Sequence, residues 1–561
     1  MVRYSLVKLH LFQNNYPNSL AIQIVTKHID LLRMSGIKRK SIARNSIFLI
    51  LPVTFLVLCL NLSHQSGPFS HRNYDPEFIY LFNGICLGEL KIDLGHIDNP
   101  GTPLQIITAI VTRITHLFIG DETYAVDVLK HPDTYLHIVN VFNIAISSLV
   151  IFVCGTLIFQ IVNNVFLVLL IQLSPLASIT IIVNSIRIFP EVLTVIPIMG
   201  LCYLLIRFIN NNNPQPASIK FILNFAVVSA LGLTLKLDYF PLILIPLFII
   251  PTWRKKGVYL LVSMGLFFVF AFPVLRDLNF FFGWIKSLII HSGRYGSGDA
   301  NFIETNTFTE NIKTMIAFYK PFYYTLAACL LALLAVIIKK GNSKKIRSFR
   351  VLGALLVAMI LYSLIVAKHF SLHYMIPAIY LTTLMIALII KILFQSSAIA
   401  TAASVTVIVV FFSILIPDYN RLVQFKRNFA NTKVKLTEAT QAFINTKPFL
   451  IVAQPYDTHF KEVGLLCGWF FTGKQKPYFQ AMLKKIYPDK YVFDAGYNKF
   501  FYWGEFYEGS KIADKYDEFY IFFDSRQMNY RDSIFIQFGD NLRIDTISVQ
   551  DTKDIMYKIS H

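Results

Sequence analysis

Long apolar runs separated by short polar segments recur through the first three quarters of the chain. The first run covers 46–62, and ten later runs cover approximately 136–160, 164–182, 189–209, 218–235, 239–252, 257–275, 321–338, 351–367, 374–394 and 398–416. Runs of this length and composition predict helices that cross a bilayer. We therefore expect an α-helical polytopic membrane protein with about eleven transmembrane helices, which places the two ends of the chain on opposite sides.

The apolar run at 104–120 is an exception, because Arg113 lies near its middle and His116 follows closely. Burying an arginine at the centre of a bilayer costs about 2.5 kcal/mol or more, so we expect this helix to lie in the membrane interface. The strongly basic short loops at 207–220, 253–257, 339–350 and 391–397 then all fall on the cytoplasmic side. If 104–120 spanned the membrane, this agreement with the positive-inside rule would be lost.

The pattern divides the chain into three parts. Residues 1–45 form a cytoplasmic N-terminal segment whose basic residues precede an uncleaved first helix. Residues 46–416 form the membrane domain, in which 63–120 is the first loop on the outer side. Residues 417–561 form an outer domain, periplasmic or extracellular in a bacterium, and the localisation that we expect is a bacterial inner (cell) membrane.

The last part has a different pattern, in which acidic and basic residues nearly balance. Apolar strand-like runs at 448–454, 518–524 and 543–549 alternate with helix-like stretches such as 478–486. This alternation predicts a small C-terminal α/β domain outside the membrane. Its many aromatic residues favour an ordinary core, and a binding groove or a bilayer contact is the alternative.

Composition agrees with a membrane protein and excludes other classes. The chain is 55% apolar and only 15% charged, where a soluble domain carries about 25% charge, and the mean hydropathy is +0.54. These values exclude a soluble enzyme and a disordered protein. The net charge is +19, but the basic residues punctuate apolar spans instead of forming one stripe, which argues against a nucleic-acid partner. The six cysteines show no paired spacing, so we expect neither a disulfide framework nor a zinc site.

Polar residues of another kind gather on the predicted outer side, where they come from several separate loops. The candidate site residues are Asp75, Glu77, His96, Asp98, Arg187, Lys236, His291, Arg294, Lys368, His373 and Tyr374. Charged groups at membrane depth are costly unless they are paired or hydrated, so they indicate function. We expect these residues to share one aqueous site.

Each candidate also has a structural interpretation. Asp75 is close enough to the first span to act as a general base at the membrane surface, but an Asp before Pro is also common in turns. The HIDNPGTPLQ segment (96–105) joins a His-x-Asp pair to a turn that would open the interfacial helix. Arg187 and Lys236 could hold a phosphate, whereas each alone is more often a membrane-surface anchor.

Two further motifs remain open. The glycine-rich segment 291–299, with His291, Arg294 and Tyr295, could wrap an anion, although it lacks the ending of a P-loop. His369 and His373 are four residues apart and could bind a divalent metal, but no HExxH pattern supports this. We expect no cofactor, and this metal is the alternative.

The motifs and their order resemble the GT-C superfamily of polytopic glycosyltransferases, which includes protein O-mannosyltransferases and lipid A aminoarabinose transferases. The resemblance covers about 46–416. It comprises a single first span, an Asp near the start of a long loop (Asp75-Pro76-Glu77), and a Pro-rich turn before an interfacial helix (Asn99-Pro100-Gly101-Thr102-Pro103-Leu104). It also includes Lys236 at the end of a middle span and His373-Tyr374-Met375-Ile376-Pro377 before a late span. Asp-Pro-Glu replaces the family's Asp-Glu pair, and His96 is displaced upstream of the turn.

The resemblance implies an inverting transfer of a sugar from a polyprenyl-phosphate donor to a hydroxyl of a lipid, glycan or protein acceptor. In that interpretation Asp75 is the base, and Arg187 and Lys236, with Arg294 or Lys368, stabilise the departing phosphate. Glu77 or Asp98 would position the acceptor.

A transporter or flippase for an anionic lipid or saccharide is the competing class. It has less support, because few ionisable residues lie in mid-span and no inverted repeat is evident.

Overall fold

A computed structural model describes residues 46–72, 75–210, 218–293, 296, 298–301, 303–338, 343–394, 396–445, 447–453, 458–539, 542–549 and 552–561. The chain is mostly helical over these ranges. The helices of the membrane domain are α1 (Ile50–Gln65), α2 (Glu77–Gly88), α3 (Thr102–Ile119), α4 (Tyr124–Lys130), α5 (Pro132–Val162), α6 (Val165–Gln172), α7 (Ile179–Ser185), α8 (Pro190–Leu193), α9 (Val195–Asn210), α10 (Ile219–Leu235), α11 (Ile245–Ile249), α12 (Trp253–Phe270), α13 (Leu278–Ile290), α14 (Thr305–Phe318), α15 (Lys320–Ile338), α16 (Ser343–Lys368), α17 (Ile376–Tyr380), α18 (Thr382–Leu393) and α19 (Ser397–Ile444).

Eight helical segments of the described chain are long and apolar enough to cross a membrane. They are Ser46–Gln65, Thr102–Ile119, Pro132–Val162, Pro190–Asn210, Lys320–Ile338, Ile346–Lys368, Leu372–Leu393 and Ser397–Ile444, and Glu77–Gly88, Ile219–Leu235, Leu237–Ile249 and Leu278–Ile290 are shorter apolar helices. The prediction of a polytopic helical membrane protein is therefore confirmed. The count of eleven spans stays a prediction.

Several predicted spans are interrupted where proline removes a backbone donor. The predicted 239–252 span is a 3₁₀ helix at Leu237–Leu244, which contains Pro241, followed by the short α11. The predicted 374–394 span begins as a 3₁₀ helix at Leu372–Met375 before α17 and α18. The predicted 164–182 span is likewise divided into α6, a 3₁₀ turn at Ser174–Leu176 and α7. The interruptions at 237 and 372 coincide with candidate site residues.

Helix α3, for which we predicted an interfacial position, pairs its arginine locally. Arg113 Nε donates to the carbonyl oxygen of Gly88 at 2.8 Å, and the guanidinium lies 4.1 Å from the centre of the Tyr124 ring. Helix α3 packs closely on α2, where a methyl group added at Gly84 would lie 2.5 Å from Thr108 Cγ2. The helix also has the length and composition of a span, so its interfacial position stays a prediction.

The C-terminal part is an α/β domain, as predicted. Its strands are β1 (Phe449–Val452), β2 (Lys490–Asp494), β3 (Lys499–Tyr502), β4 (Glu505–Tyr507), β5 (Glu518–Phe523), β6 (Arg543–Ser548) and β7 (Ile555–Ser560), and its helices are α20 (Lys461–Phe470), α21 (Lys476–Ile486), α22 (Gly509–Ala513) and α23 (Arg531–Phe538). The strands of the described chain form one sheet in the order β4-β3-β2-β1-β5-β7-β6, in which β1 lies parallel to β2 and β5. The three strand runs and the helix that were predicted from sequence are confirmed.

The aromatic residues of this domain mostly form its core. Phe500, Phe501 and Trp503 are buried, as the core interpretation predicted, whereas Phe470 and Tyr497 are exposed. The six cysteines are free, and five of them are buried.

The domain is fixed to the first loop by close helix contacts. A methyl group added at Gly464 of α20 would lie 2.8 Å from the Phe78 ring of α2. One added at Gly468 would lie 2.3 Å from the Phe82 ring of the same helix. Only residues without a Cβ allow α20 to approach α2 so closely. Helix α19 runs without interruption across position 416, where we placed the domain boundary, and ends four residues before β1 begins at Phe449. The domain therefore holds α2, and with it the start of the first loop, in place.

A buried histidine at this junction predicts a pH dependence of stability. His459 hydrogen-bonds Thr440 at the end of α19 at 3.3 Å. Burial, then the charges of Lys433 and His71, lower the pKa of His459 to about 3. His459 takes up a proton near pH 6.5 in the unfolded chain but not in the folded one. The stability that depends on neutral His459 is therefore fully present above pH 6.5 and is lost as the pH falls towards 3. Between pH 6.5 and 5, the free energy of unfolding measured by thermal unfolding in detergent should decrease by up to about 2 kcal/mol. This decrease should be smaller in His459→Gln. An unchanged pH dependence in that variant would contradict this assignment.

Candidate functional site

Two ion pairs of buried carboxylates organise the face of the membrane domain that lies beneath the C-terminal domain. The first joins Glu77 at the start of α2 to Arg187, with Nε–Oε1 at 2.5 Å and Nη2–Oε2 at 2.8 Å. The Glu77 side chain is 0% exposed. Arg187 Nη2 also donates to the backbone carbonyl of Asp75. Since Arg187 binds Glu77 through two nitrogen atoms, it fixes the start of the first loop, and Asp75 with it, against the segment before α8.

The second ion pair joins two interrupted helix ends. Lys236, which caps α10, places its Nζ atom 2.8 Å from Oε1 of Glu191 in α8, and the Glu191 side chain is 1% exposed. His373 Nε2 lies 3.6 Å from the same oxygen. The Lys236 ammonium is 4.8 Å from the centre of the Tyr374 ring. Glu191 therefore gathers a lysine and a histidine from segments that lie far apart in sequence.

A phenylalanine connects the two pairs into one surface. The Arg187 guanidinium lies 4.1 Å from the centre of the Phe189 ring, and the His373 ring stacks on Phe189 at 4.9 Å with an interplanar angle of 23°. We call this continuous set the polar wall; its residues are Glu77, Arg187, Phe189, Glu191, Lys236, His373 and Tyr374. The side chains of Arg187 and Lys236 are 20% and 11% exposed, so the wall presents two partly accessible cations to an anion.

The Pro-rich turn of the first loop contacts the same wall. Asn99 Oδ1 accepts a hydrogen bond from the backbone N–H of Leu237, the neighbour of Lys236, at 3.2 Å. Upstream in the turn, His96 Nδ1 lies 3.0 Å from Asp98 Oδ1. Burial tends to raise the pKa of Asp98, but His96 and backbone hydrogen bonds together lower it below its usual value. Asp98 is therefore an ionised acid beside the wall, and His96 is its partner.

Gly101 in this turn has a backbone that only glycine adopts without strain. Its φ is +55°, and an added methyl group would lie 2.2 Å from the Tyr80 hydroxyl oxygen. Gly101→Ala should therefore lower the free energy of unfolding by at least about 1–2 kcal/mol. The matched control is Gly265→Ala in α12, where an added methyl group meets nothing within 4 Å and alanine should be neutral or stabilising. Denaturant titration in detergent checks both, and equal stability of the two variants would be inconsistent with the strained turn.

The sequence-predicted residues divide into two groups. Asp75, Glu77, His96, Asp98, Arg187, Lys236, His373 and Tyr374 lie along the polar wall or the loop that contacts it. Lys368 instead donates to the carbonyl of Ile289 at the end of α13, and His291 Nδ1 lies 3.0 Å from the carbonyl oxygen of Gly298. These contacts hold the end of α13 and join His291 to Gly298. Arg294, like Tyr295, lies outside the described residues.

The two histidines with metal-ligand spacing make different contacts. The ring nitrogens of His369 lie 2.7 Å from the carbonyl oxygen of Gly293 and 2.8 Å from that of Leu288. His373 Nδ1 instead faces the Ser371 hydroxyl at 3.0 Å. Within the described ranges, no group of three or more His, Cys, Asp or Glu residues is arranged to hold a metal ion.

Sequence reasoning did not assign Glu191 or Phe189 to the site, although both belong to the wall. An acid inside an apolar segment is costly unless it is paired. That rule, applied to Glu191, is the signal that could have identified it as the partner of Lys236. Phe189 carries no such signal, because an apolar residue before a span is ordinary.

Comparison with known proteins yields matches only among solved structures; no family model and no curated protein matches the sequence. A crystal structure of ArnT from Cupriavidus metallidurans bound to undecaprenyl phosphate matches with a TM-score of 0.50 and 9% identity, over 91% of this chain and 97% of that one. The apo crystal structure of the same ArnT gives 0.49 and 11%, over 90% and 97%. This chain therefore shares its fold with this ArnT over most of its length, which agrees with the fold that the motif resemblance led us to expect.

Proposed function

We propose that this protein is a membrane glycosyltransferase that moves a sugar from a polyprenyl-phosphate donor to an acceptor hydroxyl, with inversion at the anomeric carbon. The observation that carries the proposal is the polar wall. It places two cations and a histidine beside the segment that bears Asp75, at one end of the membrane domain. The ArnT neighbour, bound to undecaprenyl phosphate, supports the donor class.

In the proposed reaction, Asp75 takes the proton of the acceptor hydroxyl as its oxygen attacks the anomeric carbon. The bond from that carbon to the phosphate oxygen breaks on the opposite face, and the electron pair leaves with the lipid phosphate. Arg187 and Lys236 stabilise the charge that develops on the leaving group. The proposal requires no metal.

The contacts refine the roles that the motifs implied. Glu77 is fully buried against Arg187, so we assign it to positioning Arg187 and not to binding the acceptor. Glu191 has the same role towards Lys236. Asp98, in the turn beside the wall, remains the candidate for orienting the acceptor, and Lys368 and His291 are assigned to holding α13.

The test uses purified protein in liposomes that contain synthetic undecaprenyl-phosphate sugar labelled in the sugar, together with cell-envelope extract as the acceptor source. We expect release of unlabelled lipid phosphate and label in an acceptor, with no change when a chelator is added. Movement of intact labelled lipid across the bilayer without cleavage would contradict the proposal and indicate a flippase.

The proposed orientation puts the N-terminus in the cytoplasm and the polar wall and C-terminal domain outside, in a bacterial inner membrane. With native cysteines replaced, Asp93→Cys should react with a membrane-impermeant maleimide added to cells with a permeabilised outer envelope, because the Asp93 side chain is 38% exposed. Lys256→Cys, in the basic first turn of α12, should react only after the membrane is lysed. Labelling of both positions from the same side would contradict this topology.

A further inference from the structure

A large cleft lies where three parts of the chain meet, and one of its lining residues, His71, precedes Asp75 by four positions. Its volume is about 800 Å³, within the range of ligand pockets, which often form at domain junctions. The first loop contributes Ser70 and His71, the end of α19 contributes Thr440, and the C-terminal domain contributes Lys461 and Glu462. We call it the junction cleft. The four residues from His71 to Asp75 span at most about 14 Å.

Two acceptor groups that line the junction cleft have no hydrogen-bond donor within the described chain. Glu462 is 4% exposed, and among the described residues none donates a hydrogen bond to its carboxylate. His71 is 6% exposed, with Nε2 on Thr437 at 3.0 Å and Nδ1 without a partner in the described chain. Burial lowers the pKa of His71, so the ring is neutral at pH 7. Buried polar groups are nearly always hydrogen-bonded, so these atoms call for donors from a ligand or water.

The cleft is also lined by Lys461 and Lys490. Lys461 places its ammonium 5.0 Å from the centre of the Tyr487 ring, and Lys490 donates to the carbonyl oxygens of Ile444 and Lys447. Within the described ranges neither lysine has a carboxylate oxygen within 4.0 Å, but the charges of Glu462 and Asp489 act on Lys490 and oppose the lowering of its pKa by burial. Lys461 is therefore the cation that an anionic ligand would meet. A ligand that satisfies the cleft therefore carries hydroxyl donors for Glu462 and His71 and an anionic group for Lys461.

We propose that the junction cleft binds an acidic saccharide portion of the acceptor. This inference rests on the proposed function and deepens it, because it names the substrate class that reaches Asp75 from the side of the C-terminal domain. Hydroxyl groups supply the donors that the carboxylate and the imidazole lack, and a carboxylate or phosphate on the sugar meets Lys461. The acceptor would then bind across the first loop, with one end in the cleft and its reactive hydroxyl near Asp75.

Saturation-transfer NMR on the full-length protein in nanodiscs tests the proposal, with trigalacturonate and glucose 6-phosphate as acidic probes and maltotriose as a neutral one. We expect binding of at least one acidic probe, weakened about tenfold in Lys461→Ala and in Glu462→Gln, since each removes a charge-assisted hydrogen bond. The matched control is Lys499→Ala with Glu508→Gln, which removes an exposed ion pair of 3.1 Å elsewhere in the same domain and should bind as the wild type does. Thermal unfolding verifies that each variant is folded.

Asp75→Asn should bind the acidic probe normally, which separates this inference from the proposed function. Failure of both acidic probes to bind would overturn the proposed saccharide site, even if the wild type transfers sugar. Equal binding by the folded cleft variants and the control would overturn it as well. Stronger binding of maltotriose would overturn the requirement for an acidic group. If an acidic probe binds in the cleft but the wild type transfers no sugar, the proposed function would be overturned, whereas the saccharide-binding site would still be supported.

Discussion

Replacing Asp75 with asparagine is expected to lower the rate of sugar transfer by about 10²–10⁴-fold, the contribution that a positioned general base makes. Asparagine keeps the shape of the side chain but cannot accept the proton of the attacking hydroxyl. The backbone carbonyl that Arg187 contacts is unchanged by this substitution, so the first loop should keep its position. Initial rates with labelled undecaprenyl-phosphate sugar measure the effect, and thermal unfolding in the same detergent verifies the fold.

Asp93→Asn is the matched control for this prediction. Asp93 lies in the same loop, but its side chain is 38% exposed and its contact with Lys474 is long, at 3.9 Å. We expect its transfer rate to stay within a factor of about two of the wild type, because exposed ion pairs contribute little. A folded Asp75→Asn protein with a rate similar to that of Asp93→Asn would rule out Asp75 as the base.

The second large effect is expected on stability, from Arg187→Met. This substitution leaves Glu77 buried without its partner, and breaking a buried ion pair from one side costs about 3–5 kcal/mol. Chemical denaturation in detergent should therefore show a large decrease in the free energy of unfolding. The double variant Glu77→Leu with Arg187→Met removes both charges and should recover much of this loss, because the desolvated acid is gone as well.

Arg421→Met is the control, since Arg421 forms an exposed ion pair with Asp418 three residues away in α19. Its removal should change stability by no more than about 1 kcal/mol. If Arg187→Met were as mild as this control, or if the double variant were as unstable as the single one, the buried pair would not be the element that holds the first loop. Transfer should be lost in both Arg187 variants, because the cation beside the leaving phosphate is absent.

The sequence was most informative where structure follows local pattern. Long apolar runs located α5, α10 and α15 within a few residues, and short apolar runs identified β1 and β5. The prediction of helix boundaries failed at interruptions such as Leu237–Leu244, because a run of apolar residues does not reveal where prolines and buried polar contacts divide a helix.

The candidate site was predicted in part, for a related physical reason. Sidedness and charge brought Arg187, Lys236 and His373 into one group, and the structure places all three along one wall. Their partners were not predictable in the same way, since Glu77 and Arg187 are separated by 110 residues and no local period encodes such a pairing. Lys368 met the same criteria of charge and side but contacts α13 instead.

The most direct test of the central claim is an experimental structure of the protein with a non-hydrolysable undecaprenyl-phosphate sugar analogue. We predict that the phosphate contacts Arg187 and Lys236 on the polar wall and that the anomeric carbon lies on the side of Asp75, within reach of an acceptor hydroxyl. A phosphate bound away from both cations, or a sugar turned away from Asp75, would contradict the proposed reaction.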